Sequence, residues 1–516
     1  MSVNVALTGA TGNMGRASLD FLSREENVGK IYCLCQISSK KAADKLKKQY
    51  GDKIEFVFGD MADEAVCAKL VQNAQYVVHM AAVIPPKSDR NPALAEKVNF
   101  RGTQCLVDAV AALRDQPKFI HISTMALYGD RNYKHLFGRV GDPLMPSPYD
   151  PYAMSKLVAE RYVLESSLQK WVVIRQTAML HYNMLSANLS DGLMFHTCYN
   201  APLEWVTSTD SGRLIANIIK QDSQCEQPDF WHKVFNLGGG EGGRNTGYEV
   251  FEGGFRIIGG STEKFLKPNW NALRNFHGLW FSDSYILEDM FRFRRDTLDG
   301  FWQQIAKRHP YYKLGKILPP KLISAMLIKP LLKDPNAPTY WEANGDEGRV
   351  FASFGDTSPR KLSSDWKQFP LLCKGVAPDG TKVDYAQLKK DESATFLSHG
   401  YDESKRDGEI DVNDLKQAAA FRGGELLTVD FKKGDLYRKL QWRCHDGHVF
   451  TATAYTVLKT GHWCPECVKP YVWDYDRLSK DNPFYAQVWY DAHGREENKK
   501  YSLDENYKTR FEQCEQ

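Results

Sequence analysis

Long apolar runs are missing from this chain of 516 residues, and none approaches the ~18 needed to span a bilayer, which excludes a transmembrane helix. A strong charge of either sign is missing too. A net +3 over the whole chain argues against a protein-wide nucleic-acid surface, and no nucleic-acid partner is expected. There are no internal repeats or low-complexity tracts. The start, Val3 to Leu7, reads as an apolar strand without the basic region, apolar core and cleavage site of a secretory signal, so a cytoplasmic location is expected. Nor do the 11 cysteines form a disulfide framework: Cys33, Cys35, Cys67 and Cys105 lie scattered in apolar segments, as buried free thiols do in a reducing compartment.

What is present divides along the chain. Strand candidates at Val3–Leu7, Ile31–Cys35, Ile54–Phe58, Tyr76–His79, Phe119–Ser123 and Trp171–Arg175 alternate with helical patterns such as Asn13–Ser23, Asp63–Gln72 and Val98–Leu113. That alternation predicts an α/β fold, a doubly wound parallel Rossmann sheet. Val234–Leu237 and Phe255–Ile258 read as two further strands. The boundaries drawn are a Rossmann domain over 1–260, an aromatic-rich substrate-side lobe over 261–335, a polar connector over 336–410, a compact unit over 411–470 and a charged tail over 471–516. Within the lobe, Leu314 to Leu332 is apolar with Lys and Pro interspersed. It reads as a packed core or dimer helix, with a helix lying on a membrane as the alternative, and a homodimer is among the expected assemblies.

After the first strand comes Thr8-Gly9-Ala10-Thr11-Gly12-Asn13-Met14-Gly15, opening the first helix. Glycines here permit a tight turn and close approach of backbone to a pyrophosphate, which the helix N-terminus then holds. Gly59-Asp60-Met61 follows the third strand, His79-Met80-Ala81-Ala82 the fourth, and Asn99 lies in Val98–Thr103. Ser123-Thr124 ends the fifth strand, and Tyr152 and Lys156 stand four apart. On a helix that spacing puts both side chains on one face. An ammonium beside the phenol would lower its pKa from ~10 toward the working range of an acid/base, and Thr124, or less readily Ser123, would hydrogen-bond the reacting oxygen.

Taken in order, these motifs resemble the extended short-chain dehydrogenase/reductase family over about residues 1–260. The resemblance implies that Asp60 and Met61 contact the adenine side, Ala81 and Ala82 line the cofactor, Asn99 belongs to the active site, and Lys156 holds the nicotinamide ribose. Dehydratases of the family place an Asp-Glu pair where this chain has Met125-Ala126, and its nucleotide-sugar enzymes carry an Arg-Pro-x-Asn-x-x-Gly-Pro stretch of which only Arg175 is kept. The expected activity is therefore NAD(P)-dependent interconversion of a small-molecule carbonyl and alcohol. An epimerase with tightly bound NAD and a non-catalytic dinucleotide-binding scaffold stand as alternatives. NADP is favoured because the second strand ends at Cys35-Gln36 with no carboxylate to repel a 2′-phosphate, followed by Ser38, Ser39, Lys40 and Lys41; NAD is the other possibility.

Near the C-terminus, Cys444-His445-Asp446-Gly447-His448 precedes Cys464-Pro465-Glu466-Cys467. The stretch 411–468 resembles a small treble-clef zinc module in which Cys444, His448, Cys464 and Cys467 form a closed, structural zinc site. His445 and His462 are the alternative histidines. A unit of that size has little core without a metal clip, whereas the Rossmann half reads as folding on its own core.

Overall fold

In the computed structural model, which describes residues 2–147, 149–355, 362–392, 396–469, 474–497 and 501, seven parallel strands form one central sheet. They are β1 (Val3–Thr8), β2 (Val28–Cys35), β3 (Ile54–Phe58), β4 (Tyr76–His79), β5 (Lys118–Thr124), β6 (Trp171–Gln176) and β7 (Lys233–Leu237). Their order, β3-β2-β1-β4-β5-β6-β7, reverses direction between β1 and β4. That reversal opens a crevice at the strands' carboxyl ends, the place where doubly wound sheets bind ligands. Every residue of β4 and β6 is buried, as strands covered on both faces must be, while β3 at the edge exposes Glu55 and Phe58.

Helices α1 (Asn13–Leu22), α2 (Lys40–Tyr50), α3 (Glu64–Val71), α4 (Gly102–Ala111), α5 (Pro151–Leu164) and α6 (Ser208–Gln224) flank the sheet. The predicted strand at Phe255–Ile258 is instead the end of helix α7 (Gly247–Ile257). A capping box between Thr246 and Glu249 starts that helix, and a four-residue segment with three apolar side chains cannot by itself tell a strand from a buried helix turn.

Leu314–Leu332 forms no single packed helix either. Pro319, Pro320 and Pro330 divide it into short turns, and seven large apolar side chains between Tyr311 and Leu327 face outward. No described helix is long and apolar enough to cross a membrane. Within 336–410, two helices, Pro338–Ala343 and Glu347–Phe354, bury Trp341, Val350 and Phe354 together.

The C-terminal unit has a helix at Val412–Phe421 and an antiparallel hairpin of β8 (Lys439–Arg443) and β9 (Val449–Thr453). Two more helices, Tyr475–Lys480 and Pro483–Ala492, pack against it in what the sequence presents as a tail, of which residues 470–473, 498–500 and 502–516 lie outside the described residues. This unit does not stand apart. Trp442, Tyr455, Leu458 and Trp463 belong to the same buried cluster as Met154 and Val163 of α5 and Trp171 and Val173 of β6. One face of the sheet keeps a core within the Rossmann half, where Val5, Leu7, Ile120, Ile174 and Leu214 are buried together, and only the other face is shared. The reason is that one flank of α5 and β6 is covered by the C-terminal unit rather than by another crossover helix.

Candidate active site and metal cluster

The turn after β1 is shaped for close approach. Gly9 has φ +77°, and a Cβ there would come within 2.9 Å of the Ala81 amide nitrogen. A Cβ on Gly15 would lie 2.1 Å from the Gly9 carbonyl, so α1 can start this near to the strand only with glycine. Gly12 caps α1, no side chain occupies the cap, and the first turn holds no acid. The amides at Thr11, Asn13 and Met14 therefore stand at an uncompensated positive helix end that suits a pyrophosphate. Thr8 Oγ1 accepts from the Met80 and Ala81 amides, both at 3.0 Å, which fixes the Ala81-Ala82 stretch beside the glycine turn.

Asp60 accepts from the Ala62 amide at 3.0 Å and pairs with Lys97 at 2.6 Å. Burial opposes its charge, but those hydrogen bonds hold its carboxyl below the usual range. Met61 is buried beneath Gly102. Gln36, Ser38 and Lys40 are exposed at the carboxyl end of β2, next to β1 in the sheet.

Asp150 caps α5, accepting from the Ala153 amide at 2.9 Å, with Pro151 at the first helical position. Tyr152 in the first turn hydrogen-bonds the Thr124 hydroxyl. Burial pushes the Tyr152 phenol up to about 12; the Thr124 bond opposes this and the Asp150 carboxylate adds to it. Ser123 points away, donating at 2.5 Å to buried Glu160, as neighbours on a strand must.

Lys156 and Asn99 are each held by their own neighbours. Lys156 Nζ donates to the Ile122 carbonyl at 2.8 Å and lies 3.2 Å from His121 Nε2. Burial pushes Lys156 down to about 7, against the pull of Glu160. Asn99 is fully engaged: Nδ2 donates to the Val83 carbonyl and to Ser155 Oγ, both at 3.0 Å, and Oδ1 accepts from the Val83 amide at 2.7 Å. It ties the loop after β4 to α5 and so acts on the site through position.

Thr124 and Tyr152 open onto a cavity of about 570 Å³. Its far walls come from remote segments: Asp89, His196, His277, Trp341 and Arg349. Burial, reinforced by the like charge of Asp150, pushes Asp89 up to about 7. Burial pushes His196 down to about 4, leaving it neutral, 2.6 Å from the Asn336 carbonyl. His277 lies 3.4 Å from Asp150. No motif announces these residues, because they come from short segments far apart in the sequence that only folding brings together.

The later turns of α5 face the C-terminal unit. Glu160 pairs with Arg175 at 2.6 Å, both side chains wholly inaccessible, and accepts from His462 at 3.0 Å. Arg175 also donates to the Thr460 carbonyl at 2.7 Å, and Arg161 donates to the Trp463 carbonyl. Burial disfavours the Glu160 carboxylate, but Arg175 and His462 hold it well below the usual range. Glu160→Ala leaves a guanidinium buried without a counter-charge, a change that costs ~3–5 kcal/mol. We expect a correspondingly large fall in the denaturant midpoint, read by tryptophan fluorescence. An unchanged midpoint would show that the pair does not hold the two parts together.

At the hairpin tip, Gly447 (φ +79°) closes a turn in which the Cys444 amide donates to the His448 carbonyl at 3.0 Å. Cys464 and Cys467 approach from the other side, and the four ligand atoms of Cys444, His448, Cys464 and Cys467 all lie within 4.8 Å of one another. Cys444 and Cys467 sulfurs are 3.6 Å apart, and His448 Nδ1 is 3.5, 3.7 and 3.4 Å from the three sulfurs in chain order. Tetrahedral zinc with Zn–S ~2.3 Å and Zn–N ~2.0 Å sets ligand-to-ligand edges of roughly 3.5–3.8 Å. Of the alternative histidines, His445 pairs with Asp481 at 3.3 Å and His462 with Glu160.

Residues 5–190 match the sequence model of the NAD dependent epimerase/dehydratase family. The match takes in both the glycine turn and the Tyr152–Lys156 pair. Similar solved structures include dTDP-glucose 4,6-dehydratase from Bacillus anthracis str. Ames in complex with NAD, at 16% identity and a TM-score of 0.48 over 61% of this chain and 98% of that one. UDP-glucose 4-epimerase from Bifidobacterium longum in complex with NAD+ and UDP is similar at 17% identity and a TM-score of 0.47, over 61% of this chain and 99% of that one.

Proposed function

We propose that the chain is a member of that family and an NAD(P)-dependent oxidoreductase that interconverts a small-molecule carbonyl and a secondary alcohol. The observation that carries this reading is the hydrogen-bonded Thr124–Tyr152 pair opening onto the cavity at the carboxyl ends of the strands. The glycine turn fits a dinucleotide, since Gly9 and Gly15 let the backbone close tightly between β1 and α1 and the helix end at Gly12 carries no side-chain cap, and the bound nicotinamide would supply or accept the hydride. At neutral pH Tyr152 keeps its proton and is poised to donate it to a carbonyl oxygen that Thr124 orients. Lys156, anchored to the Ile122 carbonyl, is placed to turn toward a nicotinamide ribose, and Asn99 holds α5 against the loop after β4. Candidate ketones offered with each reduced dinucleotide test the reaction. Net oxidation of cofactor supports it, whereas isomerisation without net cofactor change would replace it with epimerisation.

The preferred dinucleotide in this reading is NADP. The end of β2 presents Gln36, Ser38 and Lys40 and no carboxylate, so a 2′-phosphate meets a cation and hydroxyl rather than repulsion. At so exposed a position the advantage is at most about 1 kcal/mol, roughly fivefold in affinity. Titration of both oxidised dinucleotides by fluorescence quenching checks it, and tighter NAD binding would reject it.

The Cys444–His448–Cys464–Cys467 cluster is proposed to hold one zinc ion in a structural role. Four protein ligands leave no open position for substrate, and the cluster lies on the C-terminal flank of α5, away from the turn bearing Tyr152.

A further inference from the structure

Residues 310–333 read PYYKLGKILPPKLISAMLIKPLLK, with five lysines and no acid. Fifteen large apolar side chains are exposed among the described residues, and seven of them fall between Tyr311 and Leu327. Ile317 is 79% exposed, Met326 63% and Leu314 62%. An apolar concentration of this kind on a soluble surface marks an interaction site.

The segment is held firmly from beneath. Ile323 and Ile328 are buried in one cluster with Phe255, Phe265 and Leu266, and Ser324 Oγ donates to the Phe265 carbonyl at 3.0 Å. Its prolines break it into short turns, so it forms a ridge on the protein and not a spanning helix. Lys313, Lys316, Lys321, Lys329 and Lys333 are exposed, and among the described residues none has an acidic partner within 4.0 Å.

We infer that residues 310–333 dock the protein on an anionic lipid bilayer. The apolar side chains enter the boundary between headgroups and acyl chains, and the interleaved lysines meet lipid phosphates and carboxylates. Charge selects this occupant over a second copy of the chain. In a twofold dimer the same patch faces itself, which would set lysine against lysine with no acid between them.

The test is co-sedimentation of the full-length protein with vesicles of phosphatidylcholine alone or mixed with phosphatidylserine. Binding is expected only to the mixed vesicles, weakening as salt rises. Replacing Lys313, Lys316 and Lys321 by Gln should lower partitioning on the order of a hundredfold, at roughly fivefold per lysine. The Ile317→Asp/Met326→Asp variant should lose binding while keeping its unfolding midpoint, because both side chains are already exposed. Should that variant fail to fold, the lysine variant and the salt series decide. Lack of binding to the mixed vesicles would overturn the inference, as would equal binding by the lysine variant. Self-association in analytical ultracentrifugation that the lysine variant strengthens would also overturn it and assign the ridge to a second copy.

Discussion

Tyr152→Phe is expected to lower turnover by roughly 10²–10⁴-fold, the usual contribution of a positioned acid/base, while dinucleotide affinity changes little. The phenol makes its hydrogen bond with Thr124 at the cavity, whereas the proposed pyrophosphate cradle is the turn of Gly9, Gly12 and Gly15 after β1, which does not line that cavity. The ring of phenylalanine keeps the packing at the start of α5, so the loss should appear in kcat with the unfolding midpoint unchanged. Steady-state kinetics together with a cofactor titration read both quantities. Near-native turnover would remove Tyr152 from the chemistry, and a parallel loss of dinucleotide binding would make its role structural.

Disrupting the metal cluster is expected to destabilise the whole chain. Zinc binding contributes ~10–16 kcal/mol of apparent free energy in small zinc-finger peptides, comparable with or larger than the ~5–15 kcal/mol stability of a typical domain. Here Cys464 and Cys467 of the cluster directly follow the stretch that brings Thr460, His462 and Trp463 to Arg175, Glu160 and Arg161. Gly461 is packed so closely on the Asp142 carbonyl that a Cβ would lie 2.0 Å from it. Elemental analysis of the native protein is expected to find one zinc per chain, and Cys464→Ser should abolish it, expose the segment after residue 411 to protease, and depress dinucleotide binding by loosening α5. Full dinucleotide affinity in soluble, zinc-free Cys464→Ser protein would show that the Rossmann half is independent after all. A metal-free native protein whose C-terminal unit resists protease would remove zinc from the account.

Much of the scaffold is legible in the amino-acid order because its signals are local. Val3–Leu7 followed by Gly9, Gly12 and Gly15 specifies a strand, a tight turn and a helix within one short stretch, and apolar runs bounded by polar helices place all seven sheet strands to within a few residues. The spacing of Cys444, His448, Cys464 and Cys467 likewise sets a hairpin tip against a second turn. Tyr152 and Thr124 are named from their positions at a helix start and a strand end. That these two meet is a property of the crossover, since α5 must return across the sheet beside the strand it follows.

What only the tertiary structure decided is which groups each of these residues faces, because that depends on partners hundreds of positions away. Lys156 lies four residues from Tyr152, yet its ammonium is directed to the Ile122 carbonyl and His121. Helical spacing puts two side chains on one face without saying where their long ends go. Arg175 looks in sequence like the remnant of a sugar-binding motif; in the fold its charge is consumed by Glu160 and the Thr460 carbonyl. Asp89, His196 and Arg349 carry no periodic or motif signal and become cavity walls only when three separate segments converge. The joining of α5 to the metal unit is of the same kind. Burial is a property of two surfaces, and a sequence displays them one at a time.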